Sequence, residues 1–130
     1  KLGEAFEVKK EFPREKGIYD HLRRLVRVRR ESKALMAGDF ECLYVDHFAL
    51  VFLRCVEDDF AIVAIHNGWK DMPSSISVSI ADNPRLTTRI KERLANTELV
   101  CALTAAKVRT SNGRFDLRMP GKSALILKGK

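Results

Sequence analysis

The sequence is short of the groups that carry chemistry. Its three histidines, His21, His47 and His66, have no ligand spacing with one another or with the cysteines, which argues against a metal site. It has no glycine-rich phosphate loop, no nucleophile elbow and no His-Glu-x-x-His run, so no cofactor is expected. Cys42, Cys55 and Cys101 are odd in number and show no C-x-x-C spacing, which excludes a zinc ribbon and a disulfide framework. They sit in apolar strand-like runs and are expected to be buried and reduced, as in a cytoplasmic protein. No apolar run approaches the ~18 residues that span a bilayer, and no signal peptide opens the chain, so no membrane partner is expected. The chain opens on Lys1 rather than Met, as an excised piece of a longer polypeptide would, and as a processed chain also would.

Carboxylates are present, but a pair flanking a glycosidic bond needs a rigid, concave setting. Glu57-Asp58-Asp59 reads instead as a solvated hairpin tip. No residue of this chain is nominated as catalytic.

What is there is a globular composition, 45% hydrophobic and 32% charged over 130 residues, which suits one domain with its own core. The net charge is +7, and it is uneven. Residues 1–33 hold eleven Lys/Arg against six Asp/Glu, and the rest is nearly balanced. That pattern describes a basic segment rather than a basic domain.

Residues 1–17 mix charges with isolated apolar residues and contain Pro13 and Gly17, which reads as an extended lead-in. A helix is expected from Ile18 to Ala37, ended by Gly38. At 3.6 residues per turn Ile18, Tyr19, Leu22, Leu25, Val26 and Val28 share one half of it. Arg23, Arg24, Arg27 and Arg30 lie on or beside the other half. Arg29 falls within the apolar stripe, where a guanidinium needs a partner.

After Gly38 the period changes to 2. Strands are expected at 40–45 and 48–56 around a turn at Asp46-His47, at 60–65 apolar on both faces, and at 75–80 half exposed. A long loop, 67–74, carries Trp69, the only tryptophan. The stretch 85–97 reads equally as helix or strand. Later runs are 99–103, 107–110 joined to 114–119 by Ser111-Asn112-Gly113, and 123–128. Asn-Gly is a strong hairpin signal. The fold class is therefore mainly β: an antiparallel, Greek-key-like β-sandwich of seven to eight strands preceded by one amphipathic α-helix. Residues 1–37 form the lead-in and helix, and 38–130 the sandwich.

Certain segments resemble the end of the catalytic barrel, and the domain after it, in α-amylase-superfamily glycoside hydrolases. Leu25-Val26-Arg27-Val28-Arg29, then Ala34-Leu35 and Gly38-Asp39-Phe40, are similar to the last barrel helix and its exit. Lys33 stands where that family usually has proline. Phe48–Arg54 resembles a strand ending in Val-Phe-x-Arg, Ala61–Asn67 the strand before a loop, and Leu94–Glu98 a turn. Met119–Leu127 resembles the closing strand. The likeness runs from Tyr19 to Lys128.

This resemblance implies a non-catalytic C-terminal accessory domain of an enzyme that hydrolyses or transfers α-1,4 or α-1,6 glucosidic bonds. The cyclomaltodextrinase, neopullulanase and maltogenic amylase branch is the nearest in character. The implied partner is an upstream (β/α)8 barrel of the same polypeptide, which holds the catalytic carboxylates and the α-glucan. Arg29 is implied to tie to carbonyls or a carboxylate at the helix–sandwich junction. Leu22, Leu25 and Val26 would face both barrel and sandwich, leaving a bare patch and self-association without the barrel. Trp69 is the one candidate for stacking on sugar, with ordinary packing of its loop as the other reading.

A second function class remains open at this stage: a small nucleic-acid-binding module gripping phosphates with Arg23, Arg24, Arg27, Arg29 and Arg30. It lacks the exposed stacking aromatics and docking motif that such modules carry.

Overall fold

The computed structural model describes residues 13–129, with side chains from Asp20 onward. Residues 1–12 of the expected lead-in, and the side chains of Ile18 and Tyr19, lie outside the described residues.

Helix α1 spans Pro13–Arg30 and α2 spans Lys33–Ala37. Two expectations are corrected here. Residues 13–17 are helical, because proline suits the first helical position, where its missing N–H would be unpaired anyway. The single helix through Ala37 is broken at Glu31-Ser32. Ser32, buried, turns into extended backbone and accepts the Leu35 N–H at 3.2 Å, starting α2 as its N-cap. Gly38 ends α2, but its φ of −74° is not the left-handed one. Glycine is required there by close approach, since a Cβ would lie 2.4 Å from the Ala34 oxygen and 2.9 Å from the Cys55 backbone.

Eight strands follow: β1 (Asp39–Val45), β2 (Ala49–Val56), β3 (Asp59–His66), β4 (Ile76–Ser79), β5 (Glu98–Cys101), β6 (Lys107–Arg109), β7 (Arg114–Leu117) and β8 (Ser123–Gly129). All pairings are antiparallel, so the mainly-β sandwich is as read. One sheet has the order β1-β2-β3-β8-β5-β6, and β4-β7 forms the second. β8 inserts between β3 and β5, which makes β3 an interior strand; its inner face meets the small sheet and α2 covers part of its outer face.

The ambiguous stretch is a short helix, α3 (Thr88–Arg93), capped by Thr87. Leu86, Ile90 and Leu94 recur every fourth residue and are all buried, so helical spacing wins over strand propensity. At Asn112-Gly113 both residues take positive φ, 52° and 74°, as a two-residue hairpin turn requires. The flanking strands nevertheless part company: β6 pairs with β5 in the large sheet and β7 with β4 in the small one. The turn carries the chain from one layer to the other.

The core lies between the layers. Val51, Leu53, Ile62, Ala64 and Leu127 of the large sheet, all fully buried, meet Val78, Phe115 and Leu117 of the small one. Cys101 is buried there, but Cys42 is exposed, contrary to expectation. Cys42 stands on edge strand β1, on the face turned away from the small sheet, opposite Phe52.

Candidate docking face

The outer face of the large sheet is apolar, and it is only half covered. Strand alternation sends Val51 and Leu53 inward and Leu50, Phe52 and Arg54 outward. Pairing register then assembles rows across the strands on this outer face. Nearest α2 stand Phe40, Arg54 and Ala61; next come Cys42, Phe52, Val63 and Ile126; last come Val45, Leu50, Ile65 and Ala124.

Over β2 and β3 cover falls away along that sequence, while Phe40 on edge strand β1 is 55% exposed. α2 packs on β2 and β3 and leaves Ala61 with no exposure, while Ala34 and Leu35 of α2 are themselves buried. In the last row Val45 is 67% exposed and Ile65 39%. Phe48 lies at the same end of the sheet, exposed, and its carbonyl accepts the Asn67 N–H at 2.8 Å. A single-domain surface normally keeps such side chains scattered, and a run of them marks a contact site.

α2 is clamped by side chains from the strands beneath it. Asp59 Oδ2 accepts the Ala34 N–H at 2.8 Å, and the Ser32 hydroxyl at 3.5 Å, at one end. Arg54 donates to the Leu35 and Gly38 carbonyls at the other, both at 2.8 Å. These two residues were not singled out in the sequence. Asp59 was read as part of a solvated turn, and Arg54 only as the end of a strand motif.

α1 meets the sandwich along Leu25 and Val28, which pack on the core, and through Arg24, which donates to the Leu103 carbonyl. Leu22, Val26 and Arg29 line the other side of the stripe and are exposed. Among the described residues the ties to carbonyls at this junction are made by Arg24 and Arg54. A helix wheel alone does not say which half of the stripe meets the sandwich. Arg24, one of the five arginines a phosphate-gripping helix would use, is exposed but engaged with the Leu103 carbonyl.

Two exposed carboxylates are engaged locally. Asp82 holds Arg114 at 2.8 Å and Ser79 at 2.9 Å, and Asp58 holds Arg89 at 2.6 Å. Among the described residues no group of three or more His, Cys, Asp or Glu could hold a metal ion, and no helix is long and apolar enough to cross a membrane.

Trp69 is 87% exposed, so packing of its loop against this domain does not account for it. The Lys122 ammonium stands over its ring, 4.3 Å from the centroid.

No family model matches the chain, and no curated protein does. Solved structures match with probability 1.00. An Anoxybacillus α-amylase is 24% identical with a TM-score of 0.68, over 88% of this chain and 23% of its own. The Geobacillus thermoleovorans α-amylase, complexed with acarbose, is 24% identical with a TM-score of 0.70, over 89% and 23%. A Nostoc punctiforme debranching enzyme is 24% identical with a TM-score of 0.64, over 88% and 22%. The fold of this chain is thus one that α-amylase-family enzymes contain, and the chain spans about a quarter or less of the length of those it matches.

Proposed function

We propose that this chain is a non-catalytic C-terminal accessory domain, with the last barrel helix, of an α-glucan-acting glycoside hydrolase. Residues 1–37 would belong to the barrel's final helix and its exit, and 38–130 to the sandwich. The observation that carries the reading is the half-covered apolar face of the large sheet, in a fold that recurs as a minor part of amylase-family enzymes. An upstream (β/α)8 barrel of the same polypeptide is the occupant that fits this face. Covering each large apolar side chain there contributes about 1.5–3 kcal/mol. Leu22, Val26 and Arg29 form the outward strip of α1, and the partner of Arg29 is placed on that barrel.

The parent reaction is hydrolysis or transfer at α-1,4 or α-1,6 glucosidic bonds, carried out by barrel carboxylates. The cyclomaltodextrinase, neopullulanase and maltogenic amylase branch is the finer assignment. A maltogenic α-amylase of Thermotoga neapolitana shares the fold at 13% identity and a TM-score of 0.59. The cytoplasm is the compartment assigned, where a thiol as exposed as that of Cys42 stays reduced.

Reading the open frame upstream of Lys1 tests this directly. A (β/α)8 pattern ending in residues 13–37 is expected, and a stop codon there overturns the reading. In parallel, this chain alone should release no reducing ends from starch, whereas the longer polypeptide should.

A further inference from the structure

We propose that Trp69 is a rigid stacking platform for a pyranose ring of an α-glucan, a role that rests on the accessory-domain reading for the identity of the sugar. Trp69 is 87% uncovered, so its ring is open to a ligand from solvent. The backbone beneath it is fixed at several points. Lys122 N–H donates to the Gly68 carbonyl at 2.8 Å, Gly121 N–H to Asp71 Oδ1 at 2.9 Å, and Met72 N–H to the Met119 carbonyl at 3.0 Å. Buried His66 holds the same turn, its Nδ1 donating to the Pro120 carbonyl at 2.8 Å. A Cβ at Gly121 would lie 2.2 Å from the Trp69 oxygen, so the two loops press together backbone to backbone.

The ring itself is held from one side. Lys122 Nζ lies 4.3 Å from its centroid and also donates to Asn67 Oδ1 at 2.8 Å. A cation over one face fixes the ring's attitude and leaves the opposite face free. A pyranose offers a matching pair of surfaces: a flat patch of C–H groups for an aromatic face, and an edge of hydroxyls for polar groups around it. Lys122, Asn67 and Asp71 supply donors and acceptors beside the ring. Because the loop and ring are already ordered, little conformational entropy is lost on binding. Lys122 is a positioning residue here, acting through the attitude of Trp69.

The sole tryptophan is its own reporter. Titrating the 130-residue chain with maltoheptaose should give a saturable change in intrinsic fluorescence, with a much weaker one for cellohexaose. By calorimetry Trp69→Ala should lower maltoheptaose affinity about tenfold or more, Trp69→Phe by less, and Lys122→Ala severalfold while fluorescence anisotropy of Trp69 falls. No fluorescence or calorimetric response to maltoheptaose overturns the platform, as does equal binding of cellohexaose or binding unchanged in Trp69→Ala. Emission from Trp69 that is blue-shifted and unresponsive in the longer polypeptide overturns it too, by showing that a neighbouring domain covers the ring. The two readings fail separately: a silent titration with a barrel upstream removes only the platform, and a stop codon upstream with a maltoheptaose response removes only the parent enzyme.

Discussion

Arg54 and Asp59, on neighbouring strands, grip opposite ends of the same five-residue helix. A helix this short cannot sustain itself, because so few of its backbone groups find partners within it. Asp59 satisfies a free N–H at its start and Arg54 two free carbonyls near its end. Burial of Ala34 and Leu35 over Ala61 completes the attachment.

Removing either grip should therefore destabilise the whole junction. Asp59→Ala is expected to cost about 1–2 kcal/mol and Arg54→Met about 1–3 kcal/mol in urea denaturation, the loss of a cap and of charge-assisted hydrogen bonds respectively. The double variant should cost less than the sum, since α2 released at one end has little to lose at the other. Strict additivity would show that the two ends are held independently.

The Asp46 turn gives the fold a dependence on pH. The Tyr44 hydroxyl, 2.5 Å from the Asp46 carboxylate, is the main reason the carboxylate stays below its ordinary range, helped by the N–H groups of Phe48 and Ala49. The same bond pushes the Tyr44 phenol up. Because the folded Asp46 value is lowered, its stabilising effect is present above the ordinary carboxylate range and fades as pH falls through the folded value. The raised Tyr44 value works the other way, its effect being lost in strong base. NMR titration of the Phe48 and Ala49 amides should show the turn loosening in acid, and Asp46→Asn should remove that transition.

Thiol accessibility separates the three cysteines. Cys42 is exposed and should react first with a small alkylating reagent in the native protein. Cys55 is half-buried, and burial followed by the nearby Asp39 and Glu41 pushes its thiol up, so less of the reactive thiolate forms. Cys101, in the core, should need unfolding. Mass spectrometry of partially labelled protein checks the order, and early labelling of Cys101 would contradict the packing described.

How much of this was legible depends on whether a feature is local. Strand alternation showed the sandwich, because each face of a strand meets one environment throughout. Asn112-Gly113 announced its turn, because positive φ favours those residue types. That the turn crosses between sheets was invisible, since partner choice is made by residues far away in sequence. The break at Ser32 was hidden by an apolar stripe that runs on past it, although Ser32 before Ala34-Leu35 is a fair capping signal. Arg54 and Asp59 could not have been found by spacing, because what they grip lies on an element met earlier in the chain. The apolar stripe of α1 was visible as helical spacing, but only the structure divides its described part into Leu25 and Val28 facing the sandwich and Leu22 and Val26 facing out.

That division carries the last expectation, which concerns association. Leu22 and Val26 on α1, with Val45, Phe48 and Ile65 on the sheet, expose apolar surface that the described residues do not cover. At high concentration such surface is driven together, so sedimentation velocity should show reversible self-association that strengthens with protein concentration. Val45→Glu with Phe48→Lys should shift the chain to monomer and change its stability by less than about 0.5 kcal/mol, because both side chains are more than half exposed. The same pair introduced into a polypeptide carrying an upstream barrel should act in the opposite sense, lowering its melting temperature by leaving charges buried at the contact. A wild-type chain that stays monodisperse and monomeric at high concentration would remove the docking face from the account of this domain.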